Sequence, residues 1–137
     1  MSESKNYIHS GSYKNLTFAE DDRKTEEMLG IIEKYCNDMK ADEFVIYDYR
    51  PKNMLTEFMV VCSGMSTAHV NGIAEKVLEE MKRKGFLQMG YEGFQEKTWI
   101  LIDYGSIVLH IFEIDRRSEI DPDSLFEERL KEVAGKK

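Results

Sequence analysis

The stretch Trp99-Ile100-Leu101-Ile102-Asp103-Tyr104-Gly105-Ser106-Ile107-Val108-Leu109-His110-Ile111-Phe112 decides the fold. Two apolar runs too short for helices flank Tyr104-Gly105, and glycine at the second turn position suits a two-residue β-hairpin. That turn sets the register: Asp103 opposes Ser106, Ile102 opposes Ile107, Leu101 opposes Val108, Ile100 opposes Leu109 and Trp99 opposes His110. Side chains alternate along a strand, so one face carries Ile100, Ile102, Ile107, Leu109 and Ile111 and belongs to the core. The other carries Trp99, Leu101, Asp103, Ser106, Val108 and His110, a mixed surface and the place to look for function.

Upstream of this block, Val70, Ile73, Ala74, Val77, Leu78 and Met81 share one helical face, with Ser66 as cap and a stop near Gly85. The continuous runs Phe44-Val45-Ile46-Tyr47 and Phe58-Met59-Val60-Val61-Cys62 read as strands covered on both faces. Their connection, Asp48 to Glu57, contains Pro51 and Asn53 and is too short for a crossover helix, so the two strands should run antiparallel. The strand ending at Cys62, the helix after it and the apolar stretch Phe86 to Tyr91 form a βαβ-like unit, for which a right-handed parallel crossover is expected. Met28, Ile32, Tyr35 and Met39 predict a helix from about Thr25 to Met39, with Thr25 as N-cap. Leu125, Phe126, Leu130 and Val133 predict a short closing helix after Pro122. Together these elements give an α/β fold, a mixed β-sheet with flanking helices, in one domain over residues 23–137. Met1 to Asp22 shows no apolar period despite Tyr7, Tyr13 and Phe18, and reads as a mobile N-terminal tail that can be removed with little loss of stability.

A length of 137 residues with 42% hydrophobic content fills one core and excludes a multidomain enzyme. Acids outnumber bases by 26 to 19, giving a net charge of -7, and no Lys/Arg cluster appears. Little direct nucleic-acid binding is therefore expected, and a basic protein partner fits better. No apolar run approaches the roughly 20 residues of a membrane span, and the N-terminus lacks a signal-peptide core, so a cytoplasmic protein without membrane contact is expected. Cys36 and Cys62 read as reduced core residues rather than a disulfide. His9, His69 and His110 have no second ligand at metal-binding spacing; neither a metal nor a cofactor is expected.

Ser63-Gly64-Met65-Ser66 follows a strand and opens a helix, a setting in which backbone amides can hold an anion. Nucleotidyltransferases use a Gly-Ser turn there, but they also need paired carboxylates on the next strand. Asp121 and Asp123 lie instead in a polar turn containing Pro122. Cys62 has no partner base, and His110 stands two pairs from a same-face hydroxyl or carboxylate, so no catalytic residue is assigned. Arg116-Arg117 reads as the solvated end of a helix or strand.

From about Thr25 to Phe126 these residues resemble the Iojap-type ribosomal silencing factors. The resemblance is carried by Lys40-Ala41-Asp42-Glu43 leading into Phe44-Val45-Ile46 and Asp48, by Glu57 to Val61 with Ser63-Gly64-Met65-Ser66, and by Glu92-Gly93. Trp99 to Gly105, Val108 to Phe112 and Arg117 complete it. The chain departs from the family pattern at Glu57 (usually Asp), Met65 (Asn), His69 (Gln) and Ser106 (Asp), and it has Leu125-Phe126 where a Leu-Trp pair is usual. The resemblance implies a fold related to nucleotidyltransferases without their catalytic carboxylates, and a protein that is not an enzyme. It also implies a role: binding the large ribosomal subunit through the fourteenth large-subunit ribosomal protein and sterically blocking the small subunit when nutrients are short, which represses translation. An acidic protein meeting a basic ribosomal protein agrees with the charge. The partner-binding residues expected on the hairpin are Trp99, Asp103, Tyr104 and His110, and a homodimer is expected through an exposed sheet edge. The alternatives are a nucleotidyltransferase-like, nucleotide-binding enzyme and a generic dimeric adaptor.

Overall fold

The computed structural model describes residues 9–52 and 56–135. In chain order the elements are β1 (His9–Ser10), α1 (Arg23–Asp38), β2 (Asp42–Asp48), β3 (Phe58–Gly64), α2 (Thr67–Arg83), β4 (Gly90–Glu92), β5 (Trp99–Asp103), β6 (Ile107–Glu113), α3 (Ile114–Ile120) and α4 (Pro122–Gly135). They build a mixed sheet of order β1-β2-β3-β6-β5-β4. Among the described residues only the β3·β6 pair is parallel; β1·β2, β2·β3, β5·β6 and β4·β5 are antiparallel. β4 therefore runs in the same direction as β3, but two strands intervene. The expected βαβ unit has parallel strands without having adjacent ones, and the neighbour of β3 is the second strand of the hairpin.

One sheet face carries Ile46, Phe58, Val60, Cys62, Ile100, Ile102, Ile107, Leu109 and Ile111 against the buried sides of α1 and α2. The other carries Tyr47, Val61 and Phe112 against Phe126 and Leu130 of α4. Strands enclosed in this way lose the apolar-polar alternation, which explains why β3 and β6 are buried almost along their length. Cys36 and Cys62 sit in the first layer with their sulfur atoms 4.0 Å apart, both free and inaccessible to solvent.

The hairpin register differs from the expected one. Trp99 pairs with Phe112, Ile100 with Ile111, Leu101 with His110, Ile102 with Leu109 and Asp103 with Val108. The Tyr104 N–H donates to the Ile107 carbonyl at 2.8 Å, so the two loop residues are Gly105 and Ser106. Gly105 has φ +89° and occupies the first central position, as in one of the two common hairpin turns. The Asp103 carboxylate accepts from the Gly105 N–H at 2.8 Å and pins this arrangement. Each strand residue meets a partner two places further on; an even offset leaves every side chain on its expected face.

Of the two caps expected at helix starts, one is observed. Ser66 caps α2, its hydroxyl accepting from the His69 N–H at 3.1 Å. Thr25, expected as the cap of α1, lies inside that helix, which is wound up from a preceding 3-10 turn rich in acids, Glu20–Asp22.

The segment expected as a mobile tail packs on the domain wherever it is described; its first eight residues lie outside the described part. β1 pairs with β2, placing His9 opposite Tyr47 and Ser10 opposite Ile46. Tyr13, Leu16 and Phe18 lie against the core, and the Tyr13 N–H donates to Glu33 at 2.8 Å. Arg50 fastens the segment further: it pairs with Asp48 at 2.7 Å, donates to the Thr17 carbonyl at 2.7 Å and lies 4.8 Å over the rings of both Phe18 and Phe58. Tyr13 and Phe18 are anchored to different elements, which is why no period is visible along the described segment. A chain beginning at Arg23 is expected to lose about 2 kcal/mol or more of stability, since it uncovers apolar surface equivalent to more than one large side chain. Thermal unfolding of the full and shortened chains measures this as a fall in melting temperature of roughly 5 °C or more.

Candidate partner-binding face

α4 covers only part of the second sheet face. It lies over β2, β3 and β6, where Tyr47, Val61, Phe112, Phe126 and Leu130 are buried together. Beyond β6 the cover stops: Trp99 is 36% exposed, and Leu101 and Asp103 are each partly exposed. On β4, Glu92 pairs with Leu101 and Gly90 with Asp103, so exposed Glu92 extends the same surface. The result is an open strip of β5 and β4 with an aromatic end, an aliphatic middle and a carboxylate on either side of it.

The aromatic end is rigid. Trp99 stacks on its cross-strand partner Phe112 at 4.8 Å between ring centroids, and its indole N–H donates to His110 Nδ1 at 3.1 Å. His110 lies 5.4 Å from the Phe126 ring on its other side. Because Nδ1 accepts, the proton of the neutral ring sits on Nε2, which is buried without a hydrogen-bond partner among the described residues. Burial without a countercharge pushes the His110 pKa down from 6.5 to about 4.

Of the four residues expected to contact a partner, the structure brings Trp99 and His110 together and keeps Asp103 on the same face. His110 is only 4% exposed and meets the surface only through its hydrogen bond to Trp99. Trp99 presents its ring, since its N–H is already engaged. Tyr104 is separated from the group: its side chain joins Ile100 and Ile102 on the opposite face and is 6% exposed. Parity along β5 puts it there, one residue past Asp103.

What holds α4 in place was missed in the sequence. Arg117 is not a solvated end but a buried hub, 6% exposed. Its Nε and Nη2 donate to the two oxygens of Asp123 at 2.9 and 3.0 Å, and its Nη1 donates to Ser63 Oγ at 2.9 Å and the Glu43 carbonyl at 2.8 Å. Tyr47 donates its hydroxyl to Asp123 from below. Burial raises the Asp123 pKa, but the hydrogen bonds from Arg117 and Tyr47 outweigh it and hold the carboxyl below its usual range. The one available signal was the spacing Arg117-x5-Asp123 across a proline, which allows two helices to be clasped at their junction.

The Gly-Ser turn is filled by its own chain. A Cβ at Gly64 would meet the Val70 N atom at 2.9 Å, so the helix start packs directly on this glycine. The Ser63 hydroxyl is taken by Arg117 and that of Ser66 by the His69 amide. The Met65 N–H donates to His69 Nδ1 at 2.9 Å, while His69 Nε2 meets the Met39 carbonyl at 2.7 Å. The two departures from the family pattern at Met65 and His69 are thus in contact with each other. Asp123 is committed to Arg117, and Asp121, which ends α3 in the left-handed region, accepts from the Ser124 N–H at 3.3 Å.

These features define a mixed α/β domain with an open strip of aromatic, aliphatic and acidic side chains on one sheet face. The family model described as "Ribosomal silencing factor during starvation" matches residues 22–136. The chain belongs to this family of ribosomal silencing factors. It is 28% identical to the ribosomal silencing factor of Bacillus subtilis over 101 residues, covering 74% of this chain and 86% of that protein. To the factor of Haemophilus influenzae it is 34% identical over 79 residues, covering 58% of this chain and 78% of the other. A crystal structure of a protein from Chromobacterium violaceum superimposes with a TM-score of 0.71 at 25% identity, covering 74% of this chain and 85% of that one.

Two measurements probe this face and its support. Arg117→Ala strands the partly buried Asp123 carboxylate and leaves Ser63 and the Glu43 carbonyl without their donor, and is expected to cost about 3 kcal/mol in denaturant unfolding, with Arg117→Lys recovering only part because a lysine cannot make the paired contact. Protonation of His110 favours the unfolded chain, whose ring titrates near 6.5 against about 4 when folded. Stability is therefore full above about pH 6.5 and falls by roughly 3 kcal/mol as the pH drops to 4, a decline that His110→Gln removes. The Asp123 contribution is lost below that window, as the pH falls through the carboxylate range, and so remains in the variant.

Proposed function

We propose that this chain binds the large ribosomal subunit through the fourteenth large-subunit ribosomal protein and occludes the docking surface of the small subunit, repressing translation. The observation that carries this reading is the strip of Trp99, Leu101 and Asp103 with Glu92 beside it, open on a face otherwise covered by α4. Stacked on Phe112 and held by His110, Trp99 is a pre-ordered anchor that loses little freedom on binding. Asp103 and Glu92 supply the negative charge that a basic ribosomal protein would meet, in keeping with the net charge of -7. Such a mechanism needs no catalysis, metal or cofactor, only a body rigid enough to obstruct, and it places the protein in the cytoplasm with the ribosomes. The nucleotide-binding alternative has less support, because the Gly64 turn is packed by Val70 and its amide is engaged by His69.

No helix among the described residues is long and apolar enough to cross a membrane. A homodimer that covers the strip would compete with the ribosome for it, so self-association and silencing are alternatives in this reading.

Co-sedimentation with purified large subunits tests the site. Trp99→Ala and Asp103→Lys are each expected to weaken binding by about 2 kcal/mol, roughly thirtyfold. Asp103→Asn keeps the turn-forming acceptor while removing the charge, and it should also bind weakly, though by a smaller factor. Full co-sedimentation of folded Asp103→Lys and Trp99→Ala would show that the strip is not the ribosomal contact.

A further inference from the structure

A second open surface lies on the other side of the sheet. Tyr91 of β4 pairs with Ile102 and shares its face, opposite to that of Trp99, Leu101 and Asp103. Between Tyr91 and α2 runs a groove of about 570 Å³, with Leu78, Tyr91 and Phe94 as its apolar lining. Tyr91 meets Phe94 edge-on at 5.1 Å, which fixes the groove's wall. The wall is held by its turn: Gly93 has φ +95°, and a Cβ there would run into the Trp99 carbonyl. Just before β4, Leu87 and Met89 are 66% and 75% exposed, more than any other large apolar side chains among the described residues. β4 is the last strand of the sheet, so its outer edge is unpaired there. An open strand edge beside exposed aliphatic and aromatic groups is a combination that soluble proteins normally cover.

The charges around the groove indicate what covers it. Glu75 and Glu79 line it from α2, and both are exposed. Glu75 is in no ion pair among the described residues, and Glu79 reaches Arg83 only at 3.9 Å. Lys82 is the sole base in the lining.

We propose that this groove and the β4 edge bind an extended segment of a partner protein with an apolar side chain flanked by lysines or arginines. The segment adds to the sheet as a strand beside β4, its apolar side chain enters between Leu78, Tyr91 and Phe94, and its cations meet Glu75 and Glu79. Charge selects this occupant. A second copy related by a twofold axis would set the same acids against one another, and nucleic acid would bring phosphates to a carboxylate rim. The site does not rest on the ribosomal reading, because it uses the opposite sheet face.

The test begins by panning the full chain against a display library of random peptides, followed by fluorescence anisotropy with the enriched sequence made synthetically. Enriched peptides are expected to have an apolar centre between basic residues, and their binding should shift the amide resonances of Tyr91 and Phe94. Glu75→Lys combined with Glu79→Lys should weaken binding by about tenfold or more, and Tyr91→Lys should abolish it, while Trp99→Ala leaves it unchanged. All of these positions are exposed, and circular dichroism melts verify folding of each variant. Three results overturn the proposal: no basic-apolar consensus, unchanged affinity after reversal of the two glutamates, or resonance shifts confined to the Trp99 face. Sedimentation of the free protein provides a fourth, since self-association that Tyr91→Lys abolishes would make a second copy the occupant. Large-subunit co-sedimentation of Tyr91→Lys, run in parallel, is expected to be normal, so failure of this groove and failure of the ribosomal site are read apart.

Discussion

The bidentate contact between Arg117 and Asp123 is the constraint around which one whole side of the molecule is arranged. A guanidinium buried to this degree is tolerable only if its donors are matched, and here they reach a carboxylate, a serine hydroxyl and a main-chain carbonyl. Those acceptors come from α4, β3 and β2, so a single side chain from α3 ties together four elements. The tie fixes the direction in which the chain leaves β6. It turns α4 back across β2 and β3, which seats Phe126 and Leu130 on the sheet.

That placement determines where the surface is left open. If α4 ran the other way it would cover β5 and β4, burying Leu101 and Asp103 and exposing Tyr47 and Val61. As built, the cover ends at His110, whose ring is buried on one side by Phe126 while the other nitrogen holds the Trp99 indole. Burial and exposure are therefore divided between residues of one aromatic group. His110 and Phe112 are enclosed and give rigidity; Trp99 stands at the border and is free to bury its ring in something else. The opposite face follows a similar logic at β4, where a short terminal strand leaves an apolar groove that neither α1 nor α2 closes.

Much of the fold was legible because burial on a regular element leaves a period in the sequence. The apolar spacing from Val70 to Met81 located α2, and the continuous runs at Phe44 and Phe58 located enclosed strands whose short connection fixed their antiparallel sense. The hairpin faces were also correct, although the register was not. Alternation is insensitive to an even slip, and the choice between a loop at Tyr104-Gly105 and one at Gly105-Ser106 depends on which residue takes the positive φ and on an Asp103 side-chain acceptor. Residues 11–22 failed to announce their packing for a different reason. Tyr13 is bound by α1, Phe18 by Arg50 and Phe58, and irregular chain held by scattered contacts has no period to detect.

The α/β class, helices α1, α2 and α4, strands β2, β3, β5 and β6, the two faces of the hairpin and the family can all be read along the chain, whereas β1, α3 and the bounds of β4 cannot. Each of the legible features rests on local spacing or on a run of neighbouring residues, information that survives in one dimension. The assembled fold alone shows that Tyr104 faces the core layer away from Trp99, that His110 is buried behind Trp99, and that Arg117 is a hub rather than a solvated end. It also decided which part of the mixed face is uncovered. These outcomes depend on pairs such as Arg117 with Ser63 and Trp99 with Phe126 through His110, whose members are brought together by the sheet order and not by the chain. A residue's burial and the partner of its hydrogen bonds are properties of that assembled neighbourhood, so no reading along the chain contains them.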